Sequence, residues 1–129
     1  RPYDAMTSSL FSHDNAKTRL IEATHRNGSN ALKPNTVVFI EIVSDNEDCW
    51  GSSWWYFHTS ENVNDPTVYK FWDVDRCSDQ EFIDDMIEFY GTFDDAVHHE
   101  VSSLSEFLTR FIAKYESVEA QMEFLQQYT

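Results

Sequence analysis

His98, His99 and Glu100 follow closely on Asp94 and Asp95. Imidazole beside carboxylate is what a metal site or a general base requires. The spacing opposes a shared ion. Adjacent histidines on a strand point to opposite faces, and on a helix they diverge by roughly 100 degrees. No His-x-x-x-His pair is present. Asp84, Asp85 and Glu88 could offer oxygen ligands to a hard cation, but no EF-hand glycine spacing accompanies them. Neither Cys49 nor Cys77 belongs to a Cys-x-x-Cys pair, and no Gly-x-Ser-x-Gly elbow occurs. His58, within an aromatic run, reads as a satisfied, half-buried histidine. The expectation is a chain with no catalytic residue, no metal and no cofactor. A small metal-dependent hydrolase stands only as the third of three functional readings.

The carboxylates carry more information as a group. From Asp73 to Glu100 the chain holds ten acids against one cation, Arg76, a formal −9 of the total −14. Residues 1–33 are slightly basic by comparison. A localised negative field repels nucleic acid and membrane surfaces, attracts basic partners and speeds their association. Asp79, Glu81, Asp84, Asp85, Glu88, Asp94 and Asp95 are the candidate partner-binding residues. Trp50, before Gly51-Ser-Ser, is the candidate anchor, because an aromatic inside an acidic rim is how an interface hot spot looks. The alternative is a merely solvated face that keeps the protein soluble.

These residues must be positioned by one domain, residues 1–129. Ten Phe, six Tyr and four Trp supply a core and exclude a disordered acidic tail. Three glycines exclude Gly-rich phosphate loops. Nine Lys and Arg against twenty-three acids oppose direct nucleic-acid binding. No window approaches the eighteen apolar residues that a membrane span needs. The chain starts at Arg1 with no signal-peptide core, which reads as a trimmed N-terminus. Two cysteines make no disulfide scaffold, so reduced thiols in a cytoplasmic protein are expected.

Residues 14–26 read as a helix, with Asp14 as N-cap and Asn27-Gly28 as the stop. Thr36–Val43 is a β-branched run suited to a strand covered on both faces. In Trp54–Thr59, alternation places Trp54, Tyr56 and His58 on one face and Trp55, Phe57 and Thr59 on the other. Asp65-Pro66 forces an extended exit into a third strand, Thr67–Val74. Short connections predict an antiparallel meander of at least three strands. The period then turns helical. Ser78-Asp-Gln-Glu81 and Ser103-Leu-Ser-Glu106 are capping boxes that open helices, and Ser117 is placed as the cap of the last one. Phe107, Leu108, Phe111 and Ile112 are expected in the core. Strands followed by C-terminal helices predict an α+β fold.

The order Val37-Val-Phe, Trp54-Trp-Tyr-Phe, Asn64-Asp-Pro-Thr-Val-Tyr69 and Val101-Ser-Ser-Leu-Ser-Glu-Phe-Leu108 resembles the SUKH superfamily of Smi/Knr-like domains. The resemblance spans roughly residues 36 to 113. The family's early Leu-Pro helix and Asn-Gly turn are missing, and the stretch from Cys77 to His99 is longer and more acidic. The resemblance implies a non-catalytic interaction domain, often an immunity protein that binds and neutralises a toxin such as a nuclease. A basic toxin would be met by charge complementarity. The second reading is a nucleic-acid mimic, for example phage-encoded, that blocks a DNA-binding protein.

Overall fold

The structure is a computed structural model and describes residues 13–28, 32–33, 35–43, 52–112 and 118–127. Trp50, Cys49 and Ser117, and the side chains of Ile112, Val118 and Met122, lie outside the described set. Helix α1 (His13–Arg26) precedes three strands, β1 (Thr36–Ile42), β2 (Ser52–His58) and β3 (Thr67–Asp73). A 3-10 turn (Val74–Arg76) leads to α2 (Gln80–Tyr90) and α3 (Phe93–Val97). Then come β4 (His98–Ser103), α4 (Leu104–Ile112) and α5 (Val118–Gln127). The four strands form one antiparallel meander in the order β1-β2-β3-β4. The architecture is α+β, as the pattern of strands followed by helices predicts.

Two bulges decide which side chains meet. Val38 pairs with Tyr56 while Ile40 pairs with the very next β2 residue, Trp55, so Phe39 is the extra residue of β1. Val38 thus packs under α1, whereas Ile40 and Ile42 point to the opposite face. The second bulge lies in β4, where Ser102 pairs with Val68 and Glu100 with Tyr69. On one face, Ala16, Leu20 and Ala23 of α1 pack with Val38, Trp54, Tyr56 and Phe71. On the other, Phe107 of α4 and Phe124 and Leu125 of α5 pack with Ile40, Ile42, Trp55 and Val68. Both faces are covered, which is why β1 and β2 read as continuous apolar runs rather than as half-polar strands.

Two buried carboxylates fasten α1 to the sheet. Glu41 receives Arg19 Nε at 2.7 Å and Nη2 at 2.5 Å, and Trp54 Nε1 at 2.7 Å. Asp73, at the end of β3, is fully buried and receives Arg26 Nη2 at 2.6 Å and Asn27 Nδ2 at 3.2 Å. Asp73 is therefore structural and withdraws one charge from the acidic surface. A third carboxylate joins the β2–β3 turn to α4. Asp65 accepts from the Ser105 backbone N–H at 2.9 Å and from its hydroxyl at 2.8 Å. The Ser105 N–H, followed by the Ser105 hydroxyl, holds the Asp65 carboxyl below its ordinary range.

Helix boundaries correct the capping expectations in two places. Helix α1 already includes His13, so Asp14 lies in its first turn rather than at the cap. Its end is as expected, with Gly28 at φ 75° and its N–H on the His25 carbonyl. Helix α2 is capped by Asp79, not Ser78: the Asp79 carboxylate accepts from Phe82 N–H at 3.1 Å. A carboxylate at that position also complements the helix dipole, which a hydroxyl does not. In α4, Ser103 does cap, accepting from Glu106 N–H at 3.2 Å. Phe107 is buried in the core and Phe111 packs against it, but Leu108 is 37% exposed. One residue past Phe107 on a helix, Leu108 is turned about 100 degrees away from the sheet.

Candidate functional site

The sequence of α2, Gln-Glu-Phe-Ile-Asp-Asp-Met-Ile-Glu-Phe-Tyr, has two unlike sides. Phe82, Ile83 and Met86 pack against the core, around Trp72, Val74 and Cys77. Glu81, Asp84, Asp85 and Glu88 are all exposed and form one outer stripe at three- and four-residue spacing. Four like-charge pairs result: 81 with 84, 81 with 85, 84 with 88, and 85 with 88. Gln80 Nε2 gives Asp84 a hydrogen bond at 2.9 Å, yet the helix carries no Lys or Arg to offset the stripe. Glu88 also lies in the last turn, where the helix dipole disfavours an anion. This arrangement does not serve the helix.

Gly91, at φ 90°, ends α2 and lets the chain turn directly into α3. Thr92 caps α3 by accepting from Asp95 N–H at 3.1 Å. Asp94 and Asp95 sit in that first turn, exposed, and continue the negative surface round the corner. Two aromatic rings stand in the same corner: Phe89 is 72% exposed and Phe93 is 49% exposed. Phe89 packs edge-on against Tyr90, with ring centroids 4.9 Å apart. Tyr90 stacks on His99 of β4 at 4.2 Å. His99 Nδ1 meets the Asp95 carbonyl at 2.8 Å. The chain Phe89, Tyr90, His99, Asp95 thus ties α2, β4 and α3 together and braces the exposed ring.

Of the sequence candidates, Glu81, Asp84, Asp85 and Glu88 share the outer stripe of α2, and Asp94 and Asp95 are exposed in the first turn of α3. Asp79 is half-buried and spends one oxygen on its cap. Trp50 lies outside the described residues. Phe89 and Phe93 were not singled out from sequence. The signal was present for Phe89, which is four residues from Asp85 and off the 82, 83, 86, 90 apolar stripe.

His98 and His99 point to opposite faces of β4. His98 Nε2 hydrogen-bonds the Tyr56 hydroxyl on the α1 side. There Tyr56, His58, Tyr69 and His98 pack ring against ring, with centroids 5.4–5.9 Å apart. The Thr36 hydroxyl donates its one proton to the Lys33 carbonyl at 2.7 Å. His58 Nδ1, 2.9 Å from that oxygen, must therefore be the donor, which fixes the tautomer. Tyr69 donates to Glu61 at 2.9 Å, and Lys33 approaches the same carboxylate at 2.5 Å. The Lys33 hydrogen bond, then that from Tyr69, keeps Glu61 below its ordinary range. Burial pushes both imidazoles down, raises the Tyr56 hydroxyl and pushes Tyr69 up to about 12. Neutral imidazoles against protonated phenols make a closed polar core. Tyr56 and His58 are buried, while Tyr69 and His98 are half-buried at its edge.

On the opposite face Lys70 is buried beneath Trp55, its Nζ 5.2 Å from the ring. Burial pushes its amine down to about 7. The adjoining cavity, lined by Ser53, Trp55, Lys70, Trp72, Phe82, Met86 and Leu125, measures only about 10 Å³. That is room for about one water molecule. Among the described residues no group of three or more His, Cys, Asp or Glu side chains is placed to hold a metal ion. Cys77 is buried. No described helix is long and apolar enough to cross a membrane.

No family model, no curated protein and no solved structure matches this chain.

Proposed function

We propose that this chain is an acidic protein-binding module that engages a basic protein through the outer surface of α2 and α3. The observation that carries this reading is the stripe Glu81, Asp84, Asp85 and Glu88, exposed on a helix with no compensating cation. Like charges so spaced cost the helix stability. A solvated face would be equally soluble with the signs interspersed, so the one-sided charge is best explained by a partner of opposite sign. The SUKH resemblance of residues 36–113 directs the proposal further, to an immunity-type inhibitor that neutralises a nuclease-like toxin in the cytoplasm. The residues behind that resemblance have defined local roles: Asp65 holds the start of α4, and Ser103 caps it. As an inhibitor the chain acts by occupying a surface and catalyses nothing.

The test is affinity capture from the native source, with wild type and the Asp84→Lys, Asp85→Lys variant as parallel baits and mass spectrometry of the eluates. The proposal expects a basic protein that elutes with salt from wild type and is absent from the variant. A toxin supports the immunity reading, and a DNA-binding protein the nucleic-acid-mimic reading. Identical eluates from both baits reduce the acids to a solvated face.

A further inference from the structure

Exposed acids attract any cation, and charge alone gives steering more than residence. What distinguishes the α2–α3 corner is its two exposed rings. Phe89 and Phe93 are four residues apart and separated by a tight glycine turn, so their Cα atoms lie within about 15 Å. Each leaves a large apolar area exposed among the described residues, and exposed apolar area rimmed by charged residues is a mark of interaction sites. The Phe89 ring is also held in place. Its edge-on contact with Tyr90, the Tyr90–His99 stack and the His99–Asp95 hydrogen bond restrict it from behind. An anchor already ordered in the free protein loses little entropy when a partner covers it.

Resting on the partner-binding reading above, we infer that Phe89 and Phe93 are the anchors of that interface. The occupant is a basic amphipathic segment of the partner, with an apolar side chain seated on the two rings. Its Lys and Arg side chains reach Glu81, Asp84, Asp85, Glu88, Asp94 and Asp95. Charge complementarity selects this occupant. A second copy of the acidic surface is repelled, an anionic membrane likewise, and an acidic or neutral apolar peptide leaves the carboxylates unpaired. The exposed face of Phe89 also suits an arginine guanidinium, which stacks on aromatic rings while pairing with nearby carboxylates. The aromatics set how long the partner stays, and the acids set how fast it arrives.

Two labelled probes test this: an amphipathic lysine–leucine peptide and an oligolysine of equal charge, titrated by fluorescence anisotropy. Wild type should bind the amphipathic peptide about tenfold or more tighter than oligolysine, as one seated apolar anchor warrants. The Phe89→Ala, Phe93→Ala variant should lose that preference yet keep the weak, salt-sensitive binding of oligolysine. The Asp84→Lys, Asp85→Lys variant should weaken both peptides. Both pairs of sites are exposed, and thermal melts verify that each variant is folded. If wild type binds the two peptides equally and the aromatic variant changes nothing, the rings are not anchors, while the charge reading survives. If neither peptide binds wild type even at low salt, both readings fail together.

Discussion

Reversing two charges on α2 should make the free protein more stable. In wild type, Glu81, Asp84, Asp85 and Glu88 make four like-charge pairs at three- and four-residue spacing. Replacing Asp84 and Asp85 by Lys turns every one of these pairs attractive. Each repulsive pair costs, and each attractive pair contributes, about 0.2–0.5 kcal/mol, so the swing over four pairs is about 2–4 kcal/mol before further screening. The Gln80–Asp84 hydrogen bond is lost in exchange. Both positions are exposed, so solvent screening reduces the net gain to about 1 kcal/mol at low ionic strength. For a domain of this size that corresponds to a melting temperature higher by about 2–5 °C. Urea and thermal melts of the two proteins at low and high salt measure it. The gain should shrink at high salt, because exposed pairs are screened beyond about a Debye length. A variant no more stable than wild type at low salt would show that the stripe does not burden the fold, and the main argument for a binding role would fall.

Phe107→Ala should cost about 3–5 kcal/mol, because the ring is 1% exposed and packs on Phe39, Phe111 and Phe124, whereas Leu108→Ala should cost far less; paired urea melts compare them. Arg26→Ala should cost about 3 kcal/mol by leaving the buried Asp73 carboxylate to Asn27 and the distant Arg76, and an unchanged midpoint would refute the clamp. Lys70 titrates near 7 when folded, against 10.5 as a free side chain. The unfolded chain therefore holds the proton more tightly across that window, and wild type should gain stability as pH rises from about 7 towards 10. Lys70→Met should lack this gain, and parallel pH profiles of the unfolding midpoint would refute it.

The order of elements follows from sequence because its causes are local. β-branched and aromatic runs, Asp65-Pro66 and the Ser103 cap each act over a few residues, and they yield three strands, α4 and the end of α1 where expected. The outer stripe of α2 is equally local, since a period of 3.6 is enough to separate its acids from Phe82, Ile83 and Met86. The fourth strand was not legible. His98–Ser103 has no alternating apolar pattern and is strand only because β3 offers it a partner edge and α3 ends against it. Pairing of that kind is a long-range event. The bulges at Phe39 and Val101 are of the same origin, and they decide which face each later side chain occupies. Tertiary structure alone removed Asp73 from the acidic surface, because Arg26 and Asn27 arrive from a helix some fifty residues earlier in the chain. It alone placed Tyr90 on His99, so that an exposed phenylalanine became a braced one. Charge, period and capping are properties of neighbours in sequence; burial and bracing belong to neighbours in space, and those exist only once the sheet has closed.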